Sequence, residues 1–214
     1  MTSDEKTQRC RIYLITPPLI DIKTFPDKLN SAMQGGDIAC LQLRLKGAND
    51  YQVKKASEIL IPICQEYGVA FIVNDSPEIA AEMGADGVHI GIEDTPYQEA
   101  RKILGEDTIV GVSCYDSRHY AMVAAEQGAD YVAFGAFYPT NTKVPRAKAK
   151  IELLRWWNEV MIVPSVAIGG ITEKNCYNLV NAGTDFIAVI GSVWNNKYSP
   201  EKAVKILNDA IARS

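Results

Sequence analysis

A short phrase recurs four times in this chain and constrains the fold more than any other feature. Each copy follows a helix-like segment, has a glycine where a helix would end, and adds a turn-forming aspartate before an apolar run. Repetition of this phrase along the chain predicts a repeating unit of one strand and one helix. The copies are GGDIACLQLR from Gly35, MGADGVHIG from Met83, QGADYVAFG from Gln127 and AGTDFIAVIG from Ala182.

Eight apolar runs have the length and composition of buried strands. They are 11–16, 38–43, 70–74, 87–90, 108–113, 131–134, 162–168 and 186–190, and they alternate with helical patterns at 25–34, 50–67, 77–83, 96–104, 117–127, 151–159, 173–182 and 200–213. Eight alternating units predict a single-domain (β/α)8 TIM barrel over residues 11–214, after a polar N-terminal extension, 1–10. An open doubly wound sheet is the alternative, disfavoured because no G-x-G-x-x-G turn is present.

Composition restricts the class of partner. The net charge is −4, which argues against nucleic acid because nucleic-acid binding needs a broad basic face. No apolar run reaches the ~20 residues of a membrane span, and the first residues do not resemble a signal peptide, so we expect a cytoplasmic protein without membrane contact. Five cysteines without a C-x-x-C pair indicate neither a disulfide framework nor a zinc site.

The sequence is compatible with a homo-oligomer, and it does not specify the oligomeric state.

In a barrel of this type, chemistry lies where strands end and the following loops begin. After the second strand, alternation places Gln42 and Arg44 in the barrel interior together with Ile38 and Cys40. A guanidinium at the barrel mouth is costly without an anion, so Arg44 and nearby Lys46 are predicted diphosphate ligands. A salt bridge from Arg44 to an acid on another strand is the alternative.

Two aspartates follow neighbouring strands. Asp75 comes after the third strand and Asp94 after the fourth, so their carboxylates are expected to lie close enough to share one Mg²⁺ with substrate phosphate oxygens. Glu93 is the rival for the place of Asp94. Each aspartate has an alternative role as a helix cap, because each precedes a Ser-Pro or Thr-Pro pair.

Hydroxyls, cations and glycines follow the later strands. Ser113 supplies a hydroxyl at the mouth, with a local turn bond as its alternative role. The loop after the sixth strand has hydroxyls and a lysine suited to a phosphate, although a solvated basic loop has the same composition. Glycines after the last two strands free backbone N–H groups for a second phosphate. The residues concerned are Thr140, Thr142 and Lys143, then Gly169 and Gly170, then Ile190, Gly191 and Ser192.

A strong general base is missing from the pattern. Of two histidines, His89 lies inside the fourth strand and is predicted to be a core residue with a satisfied ring, and His119 is predicted to be exposed. No Ser-His-Asp set or Cys-His pair is apparent. Two anion sites and a magnesium site without a base suit a reaction in which diphosphate leaves and a phosphate-bearing molecule attacks.

Six motifs follow one another along the chain: QLRLK from Gln42, Asn74-Asp75, ADGVHIG from Ala85 with Asp94, GVS from Gly111, PTNTK from Pro139 and AIGGI from Ala167. Taken in this order, they resemble the thiamine phosphate synthase family from about Arg11 to Arg213. The resemblance implies a (β/α)8 barrel that joins hydroxymethylpyrimidine diphosphate to a thiazole phosphate and releases pyrophosphate. In this family the carbon–oxygen bond is expected to break first.

The resemblance also implies roles for individual residues, with Arg44, Lys46, Lys143 and Ser113 as the catalytic set. Gln42, Arg44, Lys46, Asn74 and Lys143 would hold the pyrimidine diphosphate, and Asp75 and Asp94 would bind Mg²⁺. Ser113 would face the pyrimidine and diphosphate, Thr140 and Thr142 would contact the thiazole phosphate, and Gly170 and Ile190 with its neighbour, Gly191 or Ser192, would complete the phosphate cup.

Some positions depart from the family pattern. Ser76 and Ile92 replace the usual Arg and Gln, and Ala133 and Ala136 replace a Gly and a Pro. A related thiazole tautomerase would need a histidine in the loop after the sixth strand, where this chain has Ala136. A non-catalytic phosphate-ligand binding barrel is the remaining alternative, and it would be expected to lack the metal acids or Lys143.

Overall fold

Eight parallel strands close into a barrel in the computed structural model, which describes residues 10–140 and 146–214. Each strand pairs with its neighbour in chain order, and β1 pairs with β8. The predicted (β/α)8 barrel is therefore confirmed. Residues 1–9 of the predicted extension lie outside the described residues. The strands β1 to β8 are Arg11–Ile15, Ile38–Leu43, Ala70–Asn74, Gly87–Ile90, Ile109–Tyr115, Tyr131–Gly135, Ser165–Ile168 and Phe186–Val189.

The described residues form nine helices, eight of which overlap a predicted helical pattern. The predicted helix at 173–182 is reduced to four residues, and α8 was not predicted because four residues are too few to show a helical period. No helix in residues 10–140 or 146–214 combines the length and apolar character that crossing a membrane requires. Helices α1 to α9 are Phe25–Met33, Asp50–Glu66, Pro77–Met83, Tyr97–Leu104, Arg118–Glu126, Ile151–Val160, Tyr177–Val180, Gly191–Trp194 and Pro200–Ala212.

Strand side chains alternate between the barrel interior and a larger core beneath the helices. Cys40 belongs to the interior cluster, as predicted, but Ile38 belongs to the outer core. The prediction for Ile38 is wrong because β2 contains a bulge: Ile12 pairs with Ile38, yet the next residue, Tyr13, pairs with Cys40. One residue of β1 thus spans two of β2, which interrupts the alternation.

The aspartate of the recurring phrase ties neighbouring strands together at the N-terminal end of the barrel. In three copies its carboxylate accepts a hydrogen bond from a backbone N–H near the start of the preceding strand, and in the fourth copy Asp37 pairs with Arg11 on β1. The phrase therefore fixes strand register as well as ending helices. The three bonds join Asp86 to Phe71 at 2.7 Å, Asp130 to Val110 at 2.8 Å and Asp185 to Ser165 at 2.7 Å.

Asp185→Ala should lower the free energy of unfolding by about 1–3 kcal/mol, because the Ser165 N–H loses its acceptor at the barrel end. Burial raises the pKa of the Asp185 carboxyl, and the hydrogen bonds that it accepts from Ser165 offset part of this rise. The measurement is urea unfolding followed by circular dichroism. As a control, Asp209→Ala removes an exposed pair with Lys205 and should change stability by less than about 0.5 kcal/mol. Equal effects of the two substitutions would contradict this role for Asp185.

Candidate active site

A cavity of about 580 Å³ opens at the C-terminal ends of the strands, and residues from all eight strand–loop units line it. This is the end at which barrels of this type place their chemistry. The structure brings together at this cavity all but one of the predicted site residues that it describes. These are Gln42, Arg44, Asn74, Asp75, Asp94, Ser113, Thr140, Gly170, Ile190, Gly191 and Ser192.

Lys46 is the described residue that does not line the cavity. Its side chain is exposed, and its backbone N–H donates to the carbonyl of Pro18 at 2.8 Å. Lys46 lies beyond the end of β2, so its flexible side chain can meet only a ligand that reaches the rim. Thr142 and Lys143 lie outside the described residues, and their roles stay predictions.

Arg44 is held at the end of β2 by its backbone. Its N–H donates to the Thr16 hydroxyl at 2.9 Å, and that hydroxyl also lies 3.3 Å from the Arg44 carbonyl oxygen. Among the described residues, none of the ion pairs involves Arg44. The alternative role, a salt bridge to an acid on another strand, is therefore not seen in the described part of the chain, and a guanidinium at the cavity suits an anionic ligand.

A pair of amide side chains lines the same cavity as Arg44. Gln42 is buried, and its Nε2 donates to Asn74 Oδ1 at 2.7 Å, joining the ends of β2 and β3. Each amide fixes the orientation of the other, so the polar atoms that face the cavity are held in place before a ligand arrives. Such fixed hydrogen-bonding groups recognise a polar ring or a phosphate with little loss of side-chain entropy.

The three acids at this edge have different surroundings. Glu93 and Asp94 both line the cavity, but Glu93 pairs with Arg146 at 2.5 Å, whereas the Asp94 carboxylate accepts from the Gly91 N–H at 2.7 Å. Asp75 also lines the cavity and has a backbone φ of 68°, a left-handed conformation uncommon outside glycine. Glu93 thus has a cation partner within the protein, and the choice of Asp94 over Glu93 as the partner of Asp75 stays a prediction.

The acids do not make a complete metal site by themselves. Within residues 10–140 and 146–214 no three His, Cys, Asp or Glu side chains cluster as metal ligands would. Mg²⁺ is commonly held by one or two carboxylates, with substrate phosphates and water completing the shell. Asp75 and Asp94 on one cavity wall fit that kind of site, in which the substrate supplies the remaining oxygens.

The loops after β7 and β8 form the opposite side of the cavity. Gly170 has a φ of 61°, and a Cβ there would lie 2.3 Å from the Pro139 carbonyl oxygen, so the loop after β7 packs directly on the loop after β6. Ser192 Oγ is buried in the described structure without a hydrogen-bond partner. Because a buried hydroxyl without a partner is costly, Ser192 rather than Gly191 is the candidate to complete a phosphate cup.

An interior hydrogen-bond network lies deeper in the cavity, and sequence reasoning missed two of its members. Tyr13 Oη lies 2.8 Å from Tyr131 Oη, which lies 3.0 Å from His89 Nδ1, and His89 Nε2 lies 2.8 Å from Ser113 Oγ. His89 was predicted to be a core residue with a satisfied ring. Both ring nitrogens do have partners, but the ring lines the cavity.

Glycine at position 111 makes the network possible. Gly111 lies between His89 and Tyr131 in the strand register, and a Cβ there would lie 1.8 Å from Tyr131 Cζ. The Tyr131 ring therefore crosses β5 and stacks on the His89 ring, with centroids 5.6 Å apart. Burial raises the pKa of both Tyr13 and Tyr131 well above the usual value, so both phenols stay protonated and can donate.

The fold and the cavity together define a (β/α)8 barrel enzyme with its site at the C-terminal ends of the strands. A family model described as thiamine monophosphate synthase matches residues 12–193. A thiamine-phosphate synthase of Rhodospirillum centenum is 57% identical over 199 residues, covering 93% of this chain and 96% of that protein. A second, from Hyphomonas neptunium, is 49% identical over 205 residues, covering 94% and 93%.

Solved structures agree with these sequence matches. A thiamine phosphate pyrophosphorylase from Pyrococcus furiosus superimposes with a TM-score of 0.82 at 32% identity, covering 95% of this chain and 96% of that one. Orotidine 5'-phosphate decarboxylase from Pyrococcus horikoshii, at 14% identity and a TM-score of 0.68, shares the fold alone. The chain belongs to the thiamine monophosphate synthase family of transferases.

Two glycines of the predicted phosphate cup should respond differently to alanine. Gly170→Ala should destabilise the protein by about 1–3 kcal/mol or more, because its Cβ meets a backbone carbonyl and its φ is positive. Gly191→Ala should leave stability within about 0.5 kcal/mol, because the nearest atom to its Cβ lies at 3.6 Å. Thermal and urea unfolding of both variants provide the comparison. A Gly170→Ala protein as stable as Gly191→Ala would contradict the packing of these loops.

Proposed function

We propose that this protein joins hydroxymethylpyrimidine diphosphate to hydroxyethylthiazole phosphate, forming thiamine phosphate and pyrophosphate. The observation that carries the proposal is the position of Arg44, Asp75, Asp94 and Ser113 around one cavity, in a chain 57% identical to a thiamine-phosphate synthase. The cavity volume lies in the range that binds small molecules, and its polar groups occur on two sides, as two phosphate-bearing substrates require.

The reaction needs no general base. The bond between the pyrimidine methylene carbon and the diphosphate oxygen breaks, and diphosphate leaves with the electron pair. The lone pair of the thiazole nitrogen then forms the new carbon–nitrogen bond, giving a thiazolium. Because the attacking nitrogen carries no proton, none must be removed. The main requirement is stabilisation of charge on the leaving diphosphate, which a site built from cations and hydrogen-bond donors supplies.

The diphosphate end of the site lies at the ends of β2, β3 and β4. Arg44 presents a planar set of N–H donors to phosphate oxygens, and Gln42 and Asn74 orient the adjoining pyrimidine. Lys46 at the rim, together with Lys143, adds positive charge where the leaving group accumulates negative charge. These four described residues and Lys143 bind and orient the substrate so that the carbon–oxygen bond points toward the second ligand.

Asp75 and Asp94 would hold the predicted Mg²⁺. When bound, the metal ion would neutralise charge on the diphosphate oxygens. Both side chains line the cavity on the same side as Arg44, and oxygen ligands are the kind Mg²⁺ prefers. The carboxylates also raise the local density of negative charge, so without a cation they would repel the substrate diphosphate.

The thiazole phosphate belongs at the opposite side of the cavity. Thr140 offers a hydroxyl donor, as Thr142 is predicted to do, and the Gly170 loop packs on the segment just before Thr140. The unpartnered Ser192 hydroxyl supplies a further donor. Binding the phosphate here directs the thiazole nitrogen toward the reacting carbon, because the pyrimidine lies between this cup and Arg44.

The alternatives receive less support. A thiazole tautomerase-like isomerase needs a base after β6, and the residue there, Ala136, lines the cavity without a titratable group. A non-catalytic phosphate-ligand binding barrel does not require both aspartates at the diphosphate end. We further expect a cytoplasmic location, because all five cysteines are buried and free, as suits a reducing compartment.

The direct test is incubation with both substrates and Mg²⁺, followed by mass detection of thiamine phosphate and measurement of released pyrophosphate. We expect equal amounts of both products, and neither product when one substrate is omitted. A protein of unaltered fold that forms no product with both substrates would overturn the proposal.

Asp75→Asn and Asp94→Asn should each raise the Mg²⁺ concentration needed for half-maximal rate and lower kcat by at least about 10-fold, because each loses a carboxylate ligand. Glu93→Gln is a matched control, since Glu93 adjoins Asp94 but pairs with Arg146. We expect its Mg²⁺ requirement to stay within about twofold of the native protein, as for an exposed ion pair. A Mg²⁺ titration of initial rates separates the three variants. A larger shift in Glu93→Gln than in Asp94→Asn would reverse the assignment.

A further inference from the structure

We propose that His89 is a positioning residue: its Nε2–H donates to Ser113 Oγ and so directs the Ser113 hydroxyl hydrogen into the cavity. Ser113 then donates a hydrogen bond to an acceptor atom of the substrate. The identity of that substrate rests on the proposed function. The 2.8 Å contact between His89 Nε2 and Ser113 Oγ is independent of the proposed function.

The position of the His89 ring is fixed from several sides. It projects from β4, stacks on Tyr131 with an interplanar angle of 15°, and meets the Tyr131 hydroxyl at Nδ1. Tyr131 in turn is held over Gly111 and by Tyr13. Because the ring is held between Tyr131 on β6 and Ser113 on β5 in a closed barrel, it cannot turn without disturbing the interior. It therefore holds Nε2 at a constant position relative to Ser113.

The chemistry of the hydroxyls sets the direction of the hydrogen bonds. A neutral imidazole has one nitrogen that accepts and one that donates, and here each nitrogen faces a hydroxyl. A phenol is a stronger donor than an aliphatic hydroxyl, and the unprotonated imidazole nitrogen is the strongest acceptor in the network. The favourable pairing is Tyr131 O–H to His89 Nδ1, which leaves the ring proton on Nε2.

This direction decides what Ser113 can recognise. A serine hydroxyl has one hydrogen, and a Ser113 that donated to His89 could only accept from a ligand. With Nε2–H donating to Ser113, its hydrogen is available to the cavity. The ligand atom that meets this hydrogen is therefore an acceptor, either an unprotonated ring nitrogen or a phosphate oxygen. Both acceptors occur in a heteroaromatic diphosphate.

The tautomer can be measured directly, because the chain has only two histidines. In a protein labelled with ¹⁵N-histidine, two-bond and three-bond correlations assign each ring nitrogen, and His119→Gln identifies the His89 signals. We expect His89 to show a protonated Nε2 and an unprotonated Nδ1. Tyr131→Phe, which removes the donor to Nδ1, should increase the fraction with Nδ1 protonated. Protonated Nδ1 in the native protein, or no change in Tyr131→Phe, would overturn the proposal.

A matched pair of substitutions separates positioning from packing. The glutamine amide nitrogen in His89→Gln can occupy the place of Nε2 and donate to Ser113, whereas the shorter amide of His89→Asn reaches only the place of Nδ1. We expect kcat of His89→Asn to fall about 10- to 100-fold, as in Ser113→Ala, and that of His89→Gln to stay within about fivefold. The double variant Ser113→Ala/His89→Asn should lose no more than Ser113→Ala alone.

Equal losses in His89→Gln and His89→Asn, or additive losses in the double variant, would show that the ring serves packing and would overturn the positioning role. Circular dichroism and unfolding temperature establish that each variant is folded before rates are compared. A native protein inactive on both substrates would refute the proposed function alone, because the tautomer measured in the free protein tests the hydrogen-bond direction independently of turnover.

Discussion

The closed ladder of parallel strands is the constraint on which the rest of the structure depends. Since every strand runs in the same direction and β1 pairs with β8, all eight carboxyl ends meet at one rim. Residues far apart in sequence, such as Arg44 and Ser192, therefore line one cavity. The aspartates of the recurring phrase secure the opposite end, where they hold the backbone N–H groups of neighbouring strands. Stability and function thus occupy different ends of the barrel.

Much of this arrangement could be predicted from sequence, because it follows from local rules. Apolar runs with helix stops between them define the units, and the units define the barrel, so residues directly after a strand must lie at the rim. What could not be predicted depends on register or on distant partners. The bulge in β2 moves Ile38 out of the interior, and the ion pair of Glu93 with Arg146 joins two loops 53 positions apart.

The interior hydrogen-bond network was also only partly predictable from the sequence, because it depends on strand register. Its members occupy interior positions of four strands, and polar residues at such positions were a signal available from alternation alone. The signal was incomplete because Tyr131 reaches His89 only across a glycine, and the register that places Gly111 between them is a property of the closed sheet. The same glycine therefore links strand pairing to the orientation of Ser113.

The proposed mechanism requires that one rim of a neutral-to-acidic protein collects the charges needed for a departing diphosphate. A crystal structure of the protein with Mg²⁺, pyrophosphate and thiazole phosphate would show whether it does. We expect pyrophosphate bound to Arg44 and joined to Asp75 and Asp94 through Mg²⁺, with the thiazole phosphate at Gly170 and Ser192. Pyrophosphate bound at Gly170 and Ser192 instead, or outside the cavity, would contradict the proposed mechanism.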